Sequence, residues 1–175
     1  MRFEPLFRRR TAGFTAIELM VVVAIVAILA ALAGPSFKPL MERWRVRQVT
    51  EELQAMLYYA RSEAIKRGGG ITIAKASGGW SGGWQVSSGG TTLQQAAAPN
   101  QVDIQLADGS DSELSGAISV DRWGQLTGTG DSGTASTLVF RLMPKGTDTS
   151  NAGAAALCVR PGGRIQRLSQ GSSTC

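Results

Sequence analysis

Few side chains in this sequence could carry out chemistry. The 175 residues include no histidine and only two cysteines. Histidine is the commonest general base and the usual partner of a catalytic serine or cysteine, and two cysteines are too few for a thiolate metal site. The carboxylates form no recognisable paired motif, and the glycines match no phosphate-binding loop. The composition therefore argues against an enzyme, and we expect neither a metal nor a cofactor.

The first side chain in an unusual position is Glu18, an acid inside an apolar segment. Residues 19–33 are fifteen consecutive apolar residues, and the segment extends back to Phe14 with only Thr15 and Glu18 as interruptions. About 20 apolar residues span a bilayer as a helix. A carboxylate there costs roughly 2.5–3.5 kcal/mol on insertion scales unless it finds a partner. Glu18 is therefore either an acid tolerated near the membrane surface or one that is paired with a cation.

The residues before this segment are basic. Residues 1–13 carry four arginines against one glutamate, which accounts for +3 of the net charge of +5. Arginines on the amino side of an apolar segment keep that side in the cytoplasm, so we expect the rest of the chain to be exported. A cleaved secretory signal has the same layout, and Ala31-Leu32-Ala33 would give it a cleavage site. Composition leaves both alternatives open.

The sequence around Glu18 resembles a known processing signal. Residues 13–20 read GFTAIELM, which is similar to the class III signal of type IV pilins and type II secretion pseudopilins. The resemblance implies that a prepilin peptidase removes residues 1–13 as a leader by cutting between Gly13 and Phe14. It also implies that Phe14 becomes N-methylated and that Glu18 pairs with the amine of a neighbouring subunit. The chemistry agrees, because a buried carboxylate and a buried ammonium each need the other.

Behind the apolar segment, the pattern predicts one helix that continues to residue 67. Pro35 cannot donate a backbone hydrogen bond, so we expect a kink between a membrane half at 14–34 and an amphipathic half at 35–67. The triple glycine at 68–70 is expected to end the helix. A stripe of apolar residues is expected to face a sheet: Leu40, Trp44, Leu53, Met56, Leu57, Ala60 and Ala64. The opposite face is interpreted as solvated, and it includes Arg43, Arg45, Arg47 and Arg61. For the arginines at 43, 45 and 47, contact with phospholipid headgroups or nucleic acid is the less favoured alternative.

Residues 68–175 have the period of two that is typical of strands. We predict strands at 71–74, 83–87, 91–93, 102–106, 118–120, 138–142, 157–159 and 165–168, and loops at 108–109, 128–133 and 147–153. The predicted fold class is α+β, with a long N-terminal helix packed on an antiparallel, β-rich C-terminal domain. This is the type IV pilin-like architecture that the processing signal implies.

Two further motifs resemble the GspH/FimT subgroup of that family. Residues 57–64 read LYYARSEA and residues 80–84 read WSGGW, similar to the ARSEA helix and the W-x-x-GW strand of the subgroup. The resemblance is close over residues 13–86 and looser beyond them. Many members have a cysteine on the first strand, where this chain has Ala74. We interpret Trp80 and Trp84 as core anchors, and base stacking as the less favoured alternative.

The two cysteines enclose the end of the chain. Because an exported location is oxidising, we expect Cys158 and Cys175 to form a disulfide. Closing a loop of this length stabilises the fold by roughly 3 kcal/mol in the chain-entropy model.

Three arginines near the end of the chain have no acid close to them in sequence. Arg160, Arg164 and Arg167 are therefore candidates for binding phosphate. They resemble the GRxR motif with which FimT proteins of naturally competent bacteria bind DNA, but Gln166 stands where the second arginine belongs. DNA binding and a solvated strand edge remain alternative interpretations.

The sequence thus predicts a minor pilin or pseudopilin that assembles through its N-terminal helix and helps to initiate or cap a type IV pilus. An H-type minor pseudopilin of a type II secretion system is the alternative, and a DNA-binding minor pilin for natural transformation is an alternative of another class. The expected partners are other minor and major pilins or pseudopilins, the prepilin peptidase, the inner membrane before assembly and, in the last case, DNA. We expect a single pass through the bacterial inner membrane, with a periplasmic C-terminal domain, and then entry into a pilus or pseudopilus.

Overall fold

The computed structural model describes residues 13–128, 137–169, 171 and 175, and for residues 33–36 it describes the backbone alone. The leader predicted at 1–13, apart from Gly13, and most of the loop predicted at 128–133 lie outside the described residues. The chain divides into two compact units, Met1–Lys38 and Pro39–Cys175.

One long helix accounts for about the first third of the described chain. Helix α1 (Ala16–Arg67) has 52 residues and ends at the predicted position. Its last turn is closed by the Gly69 N–H, which donates to the carbonyl oxygen of Ala64 at 2.8 Å. Gly68 and Gly69 have φ angles of 78° and 105°, which L side chains rarely adopt, so the glycines stop the helix and turn the chain into the sheet.

Nine strands follow within the described residues. They are β1 (Ile71–Ala76), β2 (Gly79–Ser88), β3 (Thr91–Ala96), β4 (Val102–Asp108), β5 (Ile118–Val120), β6 (Leu126–Gly128), β7 (Leu138–Pro144), β8 (Ala155–Val159) and β9 (Ile165–Leu168). All eight predicted strands are present. Strand β6 is an addition, and its last residue, Gly128, belongs to the sheet and not to the predicted loop.

The strands form two antiparallel sheets. The first has the order β3-β2-β1-β5-β6 and the second has the order β4-β7-β8-β9. Ser81 on β2 joins them, because its Oγ accepts a hydrogen bond from the Ile104 N–H on β4 at 2.8 Å. The α+β fold class with a long N-terminal helix and an antiparallel β-rich domain is confirmed.

The core lies between the second half of α1 and the two sheets. The buried helix residues are Val46, Val49, Thr50, Leu53, Met56, Leu57, Ala60, Glu63 and Ala64. The predicted stripe is therefore right from Leu53 onwards and wrong at its start. Leu40 and Trp44 are each 61% exposed, because the helix is covered by the domain only from Val46 onwards.

The two tryptophans of the W-x-x-GW motif are core residues, as predicted. Trp80 meets the ring of Phe140 edge to face, with 5.1 Å between the ring centroids, and Trp84 is almost completely buried. Gly83 has a φ of 104°, and a Cβ added there would lie 2.6 Å from the carbonyl oxygen of Ala96 on β3. The glycine is required because β2 and β3 approach each other so closely at this point.

Candidate functional site

The N-terminal end of α1 is capped by the side chain of Thr15. The backbone N–H of Glu18 donates to Thr15 Oγ1 at 3.3 Å. A hydroxyl at the N-cap and a glutamate three residues later form the sequence pattern of a capping box, and a carboxylate in the first turn interacts favourably with the helix dipole. Glu18 therefore stabilises the start of the helix while its carboxylate stays exposed to the surroundings.

The stretch from Phe14 to Leu32, which surrounds Glu18, presents exposed apolar side chains on every face of the helix. The exposed large residues of this stretch are Phe14, Ile17, Leu19, Met20, Val21, Val22, Val23, Ile25, Val26, Ile28, Leu29 and Leu32. Burying such a side chain is worth about 1.5–3 kcal/mol relative to leaving it in water. A helix that is apolar all round is stable only when lipid or other protein surrounds it.

The length and composition of this helix bear on whether it can cross a membrane. No single helix of the described chain is long and apolar enough to cross a membrane, although Ala16–Leu32 and Phe37–Arg67 together meet that test by length and composition. The helical assignment runs through residues 33–36, whose side chains lie outside the described part. The kink at Pro35 stays a prediction.

The C-terminal tail is pinned to the second sheet. Cys158 on β8 and Cys175 form a disulfide with 5.9 Å between their Cα atoms, as predicted. One Nη of Arg160 donates to the carbonyl oxygen of Cys175 at 3.1 Å. The last described residue is thus held by a covalent bond and by a hydrogen bond to a charged side chain.

The three arginines of the tail do not form one basic cluster. Arg160 bonds to the backbone of the tail, whereas Arg167 on β9 reaches Glu51 of α1 with 3.4 Å between Nη1 and Oε1. Arg164 is exposed, and its side chain has no polar partner within the described part of the chain. None of the three arginines has an acid close to it in sequence. In the folded chain this is wrong for Arg167, because Glu51 of α1 pairs with it.

Glu51 is shared between two arginines. Arg47, one turn earlier on α1, donates from Nε to Glu51 Oε1 at 2.9 Å, and Arg167 contacts the same oxygen. The hydrogen bond from Arg47 and the positive charges of both arginines hold the pKa of Glu51 below its ordinary value. Arg43 and Arg45 are exposed and have no charged partner among the described residues, as the prediction of a solvated face requires.

The prediction that Arg61 lies on the solvated face of the helix is wrong. Its Nε donates to the carbonyl oxygen of Gly124 at 2.9 Å, and Nη1 donates to the carbonyl oxygen of Gly163. Gly124 lies in the turn between β5 and β6, and Gly163 lies in the turn between β8 and β9. One side chain of the helix therefore fastens a turn of each sheet. Its acceptors are backbone carbonyl groups, which leave no signal in the sequence.

The end of α1 is held by a buried acid. Glu63 is only 8% exposed and bonds Lys66 Nζ and Arg67 Nε, each at 2.9 Å. The hydrogen bonds from Arg67 and Lys66 lower the pKa of Glu63. Among the described residues no group of three or more His, Cys, Asp and Glu side chains could hold a metal ion.

Comparisons with known families give two matches along the chain. The family model described as Type II transport protein GspH matches residues 49–168, which is more than half of the chain. The model described as the prokaryotic N-terminal methylation motif matches residues 8–34.

Individual relatives include proteins of pili and of secretion systems. A fimbrial protein of Pseudomonas aeruginosa is 32% identical over 99 residues, which are 57% of this chain and 61% of the relative. The type II secretion system protein H of Xanthomonas campestris pv. campestris is 30% identical over 67 residues, which are 38% of this chain and 40% of that protein. The chain thus spans about 61% of the length of the fimbrial relative.

A solved structure shares the fold. The crystal structure of the type IV minor pilin FimU of Pseudomonas aeruginosa matches with a TM-score of 0.54 at 25% identity. The match covers 76% of this chain and 94% of the FimU chain. It therefore includes nearly all of the FimU structure.

Proposed function

Because the chain belongs to the GspH family of type II transport proteins, we propose that it is a minor pilin that enters a type IV pilus through its N-terminal helix and helps to initiate or cap the filament. Membership of the family confirms the resemblance seen at residues 57–64 and 80–84. The N-terminal methylation motif at residues 8–34 agrees with the signal read at residues 13–20.

The observation that carries the proposal is the exposed apolar helix with one acid near its start. The apolar stretch needs lipid before assembly and other helices after it, because nothing else removes so many large side chains from water. We infer that the subunit is first anchored in the inner membrane, with its C-terminal unit in the periplasm. It is then extracted from the membrane into a filament of pilins.

Glu18 is the side chain on which this assembly step depends. Once the helix is surrounded by apolar side chains, the carboxylate needs a cationic partner to offset the loss of water. Cleavage between Gly13 and Phe14 by a prepilin peptidase would create such a partner, the N-terminal amine of Phe14 on a neighbouring subunit. Thr15 fixes the Glu18 backbone at the first turn of the helix, so the carboxylate lies close to the end of the processed chain.

The test is incorporation of Glu18→Gln into filaments. The variant keeps the shape of the side chain and the cap of the helix but loses the charge. We expect membrane levels equal to those of the unmodified chain and a loss of the subunit from sheared filaments, with fewer filaments per cell. Glu52→Gln, an exposed acid on the amphipathic half, is the matched control and is expected to assemble normally. Equal incorporation of Glu18→Gln would contradict the pairing.

An H-type minor pseudopilin is the second candidate, and the match to the GspH family model favours it. We place the pilus first because the solved structure of FimU matches this fold over 94% of its chain, whereas the sequence of the secretion protein H matches over 40% of its length. Deletion of the gene for this chain distinguishes the two candidate functions. A pilus subunit changes the number of pili and leaves secretion intact, and a pseudopilin does the reverse.

A further inference from the structure

Apolar side chains are exposed near the start of the C-terminal unit. Leu40, Met41 and Trp44 lie on α1 at the start of this unit, and all three are exposed. On the loop after β3, Ala97 and Ala98 are exposed as well. We call these five residues the basal surface.

The helix and the loop form one continuous feature. Between them lies an open groove of about 340 Å³ that is lined by Met41, Trp44, Val49, Ala97, Ala98 and Pro99, with Glu52 and Arg45 among the polar residues at its walls. The loop residues 97–101 carry no charge. The two elements therefore present their apolar side chains to the same surroundings, and Trp44 belongs to both the exposed patch and the groove.

Basic side chains accompany the basal surface. Residues 38–47 of α1 contain four basic side chains and one acidic one. Arg43 and Arg45 lie next to Trp44 in sequence, are exposed, and have no charged partner in the described part of the molecule. Tryptophan is enriched at the interface between lipid and water, and helices that lie in this interface combine tryptophan and leucine with basic side chains.

The length of chain between the apolar helix and this surface limits what can cover it. Seven steps of the chain lead from Ala33, the last residue of the apolar run, to Leu40. They span about 10 Å as a helix and no more than about 25 Å when fully extended. The headgroup layer begins where the apolar segment leaves the hydrocarbon core and is about 5–8 Å thick on each side. While the apolar helix is in a bilayer, no more than about 25 Å of chain therefore separates Leu40 from the hydrocarbon core.

We propose that the basal surface docks on the headgroup layer of a bilayer that contains anionic phospholipid. Trp44 and Leu40 enter the boundary between headgroups and acyl chains, and Arg43 and Arg45 pair with lipid phosphates. This contact holds the C-terminal unit against the membrane before assembly and is broken when the subunit is extracted. The inference rests on the proposed function, because it takes the apolar helix to be inserted in the membrane.

Tryptophan fluorescence tests the contact. The full chain has four tryptophans, and Trp80 and Trp84 are buried in the core, so Trp44 and Trp123 are the two that report on the surroundings. Trp123 is 74% exposed and lies on the turn between β5 and β6, away from the basal surface in sequence. The chain is reconstituted in vesicles of phosphatidylcholine and phosphatidylglycerol with bromine near the carboxyl end of the acyl chains, where bromine quenches nearby indoles.

The expected result is a difference between two matched variants. Trp123→Phe, which keeps Trp44, loses emission in brominated vesicles relative to unbrominated ones, and Trp44→Phe, which keeps Trp123, does not. Arg43→Gln/Arg45→Gln reduces the quenching of Trp44, whereas Arg122→Gln leaves it unchanged. An unquenched Trp44 in an inserted chain overturns the proposal and indicates that the basal surface is kept for another protein subunit.

Resistance of the chain to carbonate extraction is measured in the same vesicles. A chain that is extracted shows that the helix is not inserted, which contradicts the proposed function itself. A chain that stays in the membrane with Trp44 unquenched contradicts the docking alone. The two failures are therefore distinguishable.

Discussion

The Nε of Arg61 donates a hydrogen bond to the carbonyl oxygen of Gly124 at 2.9 Å, although the two residues are 63 positions apart in the sequence. The same guanidinium also bonds the carbonyl oxygen of Gly163. The planar fork of arginine suits two acceptors at once, so α1 is attached to turns of both sheets through one side chain.

Replacement of Arg61 by alanine is expected to destabilise the C-terminal unit by about 2 kcal/mol, because two partly buried carbonyl groups lose charged donors. Arg61→Lys should recover only part of this, since an ammonium group cannot reproduce the fork. Unfolding of the full chain in detergent, followed by the signal of the buried Trp80 and Trp84, measures the effect. Arg45→Ala is the control and should change stability by less than about 0.5 kcal/mol. Equal stability of the Arg61 and Arg45 variants would show that the two bonds do not hold the helix.

Glu63 makes the stability of the chain depend on pH. Hydrogen bonds from Arg67 and Lys66 hold its pKa in the folded chain below the ordinary value of 4.5. A lowered pKa contributes stability that is present above pH 4.5 and is lost as the pH falls through the folded value. Glu63→Gln should therefore be less stable than the unmodified chain at neutral pH, and the difference should vanish in acid. A difference between the two chains that is constant across this range would contradict the assignment.

Loss of the disulfide is expected to lower the free energy of unfolding more than it changes the fold. Cys158→Ala/Cys175→Ala removes a cross-link that closes the tail, and we expect a loss of roughly 3 kcal/mol. Hydrogen exchange should become faster in β9, which forms the edge of its sheet next to β8. A reducing agent should weaken the unmodified chain in the same way and leave the double variant unaffected. An unchanged midpoint of unfolding in the double variant would contradict this.

DNA binding stays a prediction from the sequence, and the contacts of the tail weigh against it. Arg160 bonds the Cys175 carbonyl and Arg167 bonds Glu51, so Arg164 is the arginine of the three without a partner among the described residues. One or two phosphate contacts give weak, salt-sensitive affinity. We expect no retardation of duplex DNA by the full chain at about 0.15 M salt. Glu51→Gln, which releases Arg167, is the variant in which weak binding should first appear. A retarded band that is lost in Arg164→Gln would contradict this expectation.

Much of the fold was predictable from local pattern. Helix α1 ends at residue 67 because three glycines follow it, and eight strands follow from alternation of apolar residues. Strand β6 was missed because its three residues contain only one large apolar side chain, Leu126, and the strand exists through its pairing with β5. Leu40 and Trp44 were assigned to the core because helical spacing cannot tell where the domain stops covering a helix.

The candidate site was less predictable, because its contacts join distant parts of the chain. Local sequence shows that Arg167 has no acid beside it, but only the packing of β9 near α1 brings Glu51 within reach. Arg61 is a similar case, since its acceptors are backbone carbonyls of remote turns and leave no trace in side-chain types. By contrast, the hydrogen bond between Glu18 and Thr15 spans three residues and follows directly from the sequence.

We propose that the chain is processed so that Phe14 becomes its first residue, and that it then assembles as a filament subunit. Mass spectrometry of the mature protein, purified from membranes or filaments, tests this most directly. We expect a chain that begins at N-methylated Phe14 and retains the apolar helix. A mature terminus at Gly34, which would mean that the helix had been removed as a secretory signal, would contradict it.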